Sequence, residues 1–202
     1  MQNDIYQNMM EYLATGGWVM IPMIVVSVFM LLLIVIKILE MRAFTKSDIP
    51  AEKCVAKALD PDFSPALWQQ QIMVGFLKQR TFNDDLDASL LESLRLRQAA
   101  FVRRHIGTIA VLAAVAPLLG LLGTVGGMIK TFTAIAAFGT GNAKALASGI
   151  SEALITTQTG LVVAIPGLFL AAFLRRKALK VTARMQRFCL GLLKFHKRLE
   201  KQ

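Results

Sequence analysis

Two stretches decide the fold: Gly120–Phe132, GLLGTVGGMIKTF, and Gly149–Gly167, GISEALITTQTGLVVAIPG. Each lies in or against an uncharged run, 106–129 and 153–174, of the roughly 20 apolar residues that cross a bilayer core. Lipid gives helices no hydrophobic reason to associate, so they associate through small residues that let backbones approach. Gly123 and Gly127 form a GxxxG pair, with Gly120 and Gly126 beside them. Thr156, Gly160 and Ala164 repeat small residues every four positions. A third uncharged run, 12–36, is bulky (VVSVFMLLLIVI over 25–36) and has no such repeat. The second and third spans are therefore expected inside an assembly, and the first against lipid.

Composition agrees. Of 202 residues, 55% are hydrophobic and only 18% charged, with mean hydropathy +0.54. Soluble domains carry about 25% charged residues, so a soluble single domain is excluded as a reading. Cys54 and Cys189 have neither a disulfide framework nor metal-ligand spacing. The first run lacks the positive start of a signal peptide, since Asp4 and Glu11 precede it, and it reads as a retained anchor. The expected fold is an all-α integral membrane protein with three spans, 16–38, 106–130 and 152–174.

Charge sets the expected orientation. The first eleven residues hold no Lys or Arg, 37–105 holds eleven, 130–152 only Lys130 and Lys144, and 175–202 ten. Basic flanks stay in the cytoplasm, so the N-terminus is expected outside and the C-terminus inside. Most of the net charge of +10 belongs to the tail 175–202. Because that tail directly follows a span, anionic phospholipid is its expected partner and nucleic acid is not.

Outside the membrane, Ile5, Met9 and Leu13 suggest a short amphipathic helix over 1–15. The segment 39–105 should be helical and cytoplasmic. Ser64-Pro65 reads as a cap and first turn for a helix over 66–80. A second helix starts near Asn83–Asp87, with Leu86, Leu90, Leu94 and Phe101 on one face, and runs unbroken into the second span. A periplasmic-side loop is expected over 131–151. In the tail, Ala178, Val181, Met185, Phe188, Leu192, Phe195 and Leu199 make a heptad seam. It suits either packing on the chain's own cytoplasmic part or a bundle of tails from several copies.

The polar residues of the spans are few. Thr124 lies in the second span, and Thr156, Thr157, Gln158 and Thr159 in the third. Glu152 is the one acid bordering either span, at the outer end of the third. It reads as an interfacial carboxylate at a helix start or as an acid at the mouth of an ion path. Pro117 and Pro166 each remove a backbone hydrogen bond and are expected to kink a span or free a carbonyl. No span holds His, Asp or a Ser–His pair, so enzymatic chemistry, a cofactor and a metal are not expected. Thr and Gln do not titrate near neutral pH. If protons cross, another chain must supply the central carboxylate.

At this point the two quoted stretches resemble the MotA/TolQ/ExbB proton-channel family, most closely its ExbB and TolQ branch, across Leu118 to Gly167. The resemblance implies a bacterial inner-membrane protein that forms a ring, a pentamer in the better-described members. The ring would surround a single-span partner, ExbD-like or TolR-like, whose aspartate takes protons. Proton flow would drive a TonB-like or TolA-like protein acting on the outer membrane. By motif, Thr124 in GLLGTVGG and Thr157 in EALITT match the family's pore threonines, and Glu152 its acid at the start of the third span. Helical periodicity alone puts Glu152, Thr156 and Thr159 on one stripe, and Thr157 with Gly160 and Ala164 on its neighbour. Thr157 is the expected pore residue, with Thr156 second. The alternatives are a flagellar MotA-like stator subunit, which would need a fourth span, and a non-conducting oligomeric scaffold.

Overall fold

The computed structural model describes Tyr12, Cys54 and residues 15–45, 67–79, 81 and 83–199. Among them the chain is all-helical: α1 (Met20–Thr45), α2 (Leu67–Gln79), α3 (Asp84–Arg103), α4 (Ile106–Phe138) and α5 (Ala143–Leu199). Three of these helices, α1, α4 and α5, contain stretches long and apolar enough to cross a membrane. The amphipathic pattern at Ile5, Met9 and Leu13, and the Ser64-Pro65 cap, lie outside the described residues.

The chain divides into two compact units, 1–34 with 107–172, and 35–106 with 173–202. In the first, α4 and α5 run antiparallel. Only the single 3-10 turn Gly139–Gly141 and Asn142 join them, so the expected loop over 131–151 is mostly helix. Asn142 starts α5 by accepting the Ala145 N–H on its Oδ1 at 3.1 Å. Pro117 and Pro166 lie inside helices that continue through them.

α1 packs by a narrow seam. Met20, Met23, Met30 and Ile34 are buried, while Ile21, Val25, Val28, Phe29 and Leu32 are at least half exposed. These exposed positions are all apolar. The buried side was not legible as packing because methionine, not glycine, supplies it; flexible thioethers fill irregular gaps.

The second unit has its own core. Trp68 of α2 meets Phe188 of α5 edge-on at 5.2 Å, and Phe44 stacks on Phe101 at 5.3 Å. Val181, Met185, Phe188 and Leu192 are buried, so the described part of the tail seam is covered by the chain's own helices rather than left free for a bundle of tails. On α3 the buried positions among the described residues are Asp87, Leu91, Ala99 and Val102; Leu86 and Phe101 are 54% and 40% exposed. The packed face is thus rotated from the leucine stripe. Lys37, which follows the uncharged run 12–36, is buried. Its Nζ donates to Glu40 Oε2 at 2.7 Å and to the Phe101 carbonyl at 3.2 Å.

The expected unbroken rod from α3 into the second span is interrupted. α3 ends at Arg103, and His105 adopts φ 66°. Left-handed backbone costs an L-residue on the order of 1–2 kcal/mol, and glycine nothing. His105→Gly should therefore raise thermal stability in detergent, and His105→Val lower it by roughly 1–2 kcal/mol, read by heat denaturation.

Burial pushes the Cys189 thiol up to about 11 from an ordinary 9.0. The folded state holds this proton more tightly than the unfolded chain. Its contribution to stability is complete below the unfolded value and falls as pH rises from there towards about 11. In a Cys54→Ser background, maleimide should label Cys189 slowly at pH 8 and rapidly after denaturation, as mass spectrometry would read.

Candidate functional site

The contact between α4 and α5 positions Thr124, Thr156, Thr157 and Glu152. It is built where side chains are missing. A methyl group on Gly120 would lie 3.0 Å from the Thr156 carbonyl oxygen, and one on Gly160 would lie 2.8 Å from that of Ala116. On Gly127 it would lie 2.5 Å from the Gly149 carbonyl oxygen. On Gly123 it would collide with the Thr156 side chain. Gly126 points into open space. Of the four glycines of GLLGTVGG, three therefore make the crossing, and each sits where α5 offers backbone or a small side chain.

This crossing separates the threonines. Thr156 is fully buried as the knob over Gly123, and its hydroxyl bonds the carbonyls of Glu152 and Ala153, both at 3.0 Å. Ala153, Gly160, Ala164 and Gly167 are buried along the same seam. Gly160 and Ala164 thus belong to the packed seam that Thr156 enters. Thr157 stands about 60° around the helix from the seam's centre and is half-buried. Its hydroxyl faces the Ala153 carbonyl at 3.2 Å and reaches across to the Gly120 carbonyl at 3.4 Å. Thr124 is half-buried at the edge of the α4 seam, with its hydroxyl on the Leu121 carbonyl at 2.7 Å.

Because the helices are antiparallel, residues displaced in the same rotational sense from the two seams lie on the same flank of the pair. Thr124 and Thr157 do so, among Leu121, Met128, Leu161 and Leu168, which are 41–60% exposed. Glu152 and Thr159 are displaced the other way. That flank is where the N-terminal part of the chain packs: Gly17 lies under the Glu152 carboxylate, and Met30 lies against Gly167. Thr159 is half-buried with its hydroxyl on the Ile155 carbonyl at 2.8 Å, and Gln158 is exposed.

Glu152 has a partner that sequence reading missed. Lys130 of α4 donates to both its carboxylate oxygens, at 2.8 and 2.6 Å. The Glu152 side chain is 9% exposed and that of Lys130 56%. Gly17, at φ 68°, brings bare backbone against the same carboxylate. The only sequence signal was that 106–174 holds a single acid and few cations. Among the described residues no group of His, Cys, Asp and Glu is placed to hold a metal.

Chemically, the Thr124–Thr157 flank offers hydroxyls whose protons are spent on their own helices. Each keeps acceptor lone pairs for water or for a protonated group of another chain. It holds no group that itself takes up a proton near neutral pH.

The packing makes a direct prediction. Gly123→Ala should destabilise the chain by about 1–3 kcal/mol through overpacking against Thr156. Gly126→Ala, which meets nothing, should fold as well as the parent; thermal unfolding in detergent compares the two.

Residues 60–187 match the MotA/TolQ/ExbB proton channel family. Among curated relatives, the biopolymer transport protein ExbB of Salmonella typhimurium is 43% identical over 74 residues, covering 35% of this chain and 30% of that protein. That of Aquifex aeolicus is 48% identical over 69 residues, 34% of this chain and 47% of the relative. That of Xanthomonas campestris pv. campestris (strain B100) is 35% identical over 99 residues, 49% and 39%. The matched stretch spans less than half the length of each of these relatives.

Proposed function

From the premise that this chain belongs to the MotA/TolQ/ExbB proton channel family, on its ExbB/TolQ side, we propose that it is a ring subunit of an inner-membrane motor driven by the proton-motive force. In this reading the spans 106–130 and 152–174 line the inside of a homo-oligomeric, pentameric ring. The first span, 16–38, faces lipid. The N-terminus is periplasmic, and 39–105 and the basic helix 175–202 are cytoplasmic, the latter against anionic phospholipid. A single-span ExbD-like or TolR-like partner threads the ring and brings the carboxylate, and a TonB-like or TolA-like protein carries the work outward.

One observation carries the assignment of the pore face. Thr124 and Thr157 share the flank of the α4–α5 pair that points away from the packing of Gly17 and Met30 on α5. A flank left open by the chain's own first helix, and bearing hydroxyls, suits a borrowed acid. Thr157 is assigned to this path, and Thr156, spent on Gly123, to packing. Pro117 and Pro166 are assigned to bending their spans or freeing carbonyls beside the path.

Reconstituted with its partner, Thr157→Ala should cut partner-dependent proton flux about tenfold, near 1.4 kcal/mol of barrier, while the ring still assembles. The chain alone should show no threonine-dependent proton current. A fast current without the partner, or undiminished flux in a Thr124→Ala, Thr157→Ala ring, would sink the reading.

A further inference from the structure

The Lys130–Glu152 pair is the strongest feature that this function leaves unused. Glu152 is the one Asp or Glu between Glu92 and Glu200, so any cation drawn to these spans by a fixed charge of this chain is drawn here. The carboxylate is enclosed: Gly17 backbone lies against it, and both its oxygens are taken by one ammonium at 2.8 and 2.6 Å. That ammonium comes from a side chain that is itself 56% exposed, so it can swing away from the carboxylate without unpacking a helix. Lys130 is thus a tethered counter-cation on a hinge of its own methylenes.

We propose that Lys130 is a specificity-determining residue for the ion that this chain handles: it occupies the cation site at Glu152 and bars alkali-metal ions from it. The inference rests on the ring-subunit reading above and adds a second position, at the adjoining ends of the two spans and off the Thr124–Thr157 flank, where the ion is selected before it reaches the partner's carboxylate. A hard metal cation binds through several oxygen ligands. At Glu152 it would have to displace an ammonium held by two charge-assisted bonds. A proton needs neither a coordination shell nor room. It adds to one carboxylate oxygen as the ammonium turns away, and the pair re-forms when the proton leaves. The charge near the carboxylate is balanced in both conditions, by Lys130 in one and by the proton in the other.

The test uses the full ring with its single-span partner in liposomes, with proton flux measured as sodium chloride is raised against a choline chloride control of equal ionic strength. Wild-type flux should not respond to sodium. In Lys130→Met the unpaired carboxylate should accept sodium, and flux should fall as sodium rises. Lys130→Arg should restore the indifference, because a guanidinium still covers both oxygens. A merely structural role for Lys130 would lower flux or assembly in Lys130→Met equally in sodium and in choline, and that result would overturn the proposal. Should Lys130→Met fail to assemble, the wild-type ring still decides. Carbodiimide should join Lys130 to Glu152 as an amide seen by mass spectrometry, and sodium should not reduce the yield. An absent cross-link, or one suppressed by sodium, would refute the occupied site. Failure of the motor reading looks different: partner-dependent flux would be missing from the wild type, whatever the cross-link showed.

Discussion

Close backbone approach between α4 and α5 is the constraint on which the membrane part of this protein depends. In lipid an apolar side chain gains little by leaving the bilayer for a neighbouring helix, so dispersion contacts at short range must hold helices together. The chain meets that demand by deleting side chains at Gly120, Gly123, Gly127, Gly149 and Gly160. Once those positions are in contact, rotation about both helix axes is settled. Every other residue on the two spans then has a fixed direction, whether inward, towards α1, or outward on the remaining flank.

Polar groups follow from that geometry. A hydroxyl in a membrane helix can satisfy itself on its own carbonyls, and Thr124, Thr156, Thr157 and Thr159 all do. What separates them is the side on which they emerge. Thr156 is consumed as the knob over Gly123, whereas Thr157, one residue later, is half-buried with its hydroxyl between the Ala153 and Gly120 carbonyls. A carboxylate has no such self-sufficient solution, and the enclosed Glu152 is paired with a half-exposed cation from the neighbouring helix. The buried Lys37 obeys the same rule in the other unit, matched by Glu40 and the Phe101 carbonyl.

Much of the fold was legible. Uncharged runs marked the three apolar helices, and the glycines at 120, 123 and 127 named the contact face of α4 before any partner was known. The misses share one cause, since they concern positions whose environment is decided by another segment. The leucines of α3 suggested a face through Leu86 and Phe101, yet packing chose the one through Leu91, Ala99 and Val102. The missing break at His105 has a related origin. No glycine or proline announces it, and only backbone geometry reveals a histidine in left-handed conformation.

The amino-acid sequence by itself determined how many apolar helices form, which of them carry small residues, and that their spans hold threonines and one acid but no His or Asp. These follow from composition and period, which are properties of one helix. Tertiary structure alone decided that Thr156 is fully buried over Gly123 while Thr157 is half-buried beside the seam, that Lys130 pairs with Glu152, and that Gly17 lies against the same carboxylate. Those outcomes depend on the register between two helices joined by a four-residue turn. A shift of one residue turns a side chain by about 100°. Only the fit of glycine against backbone, which no single helix contains, selects that register.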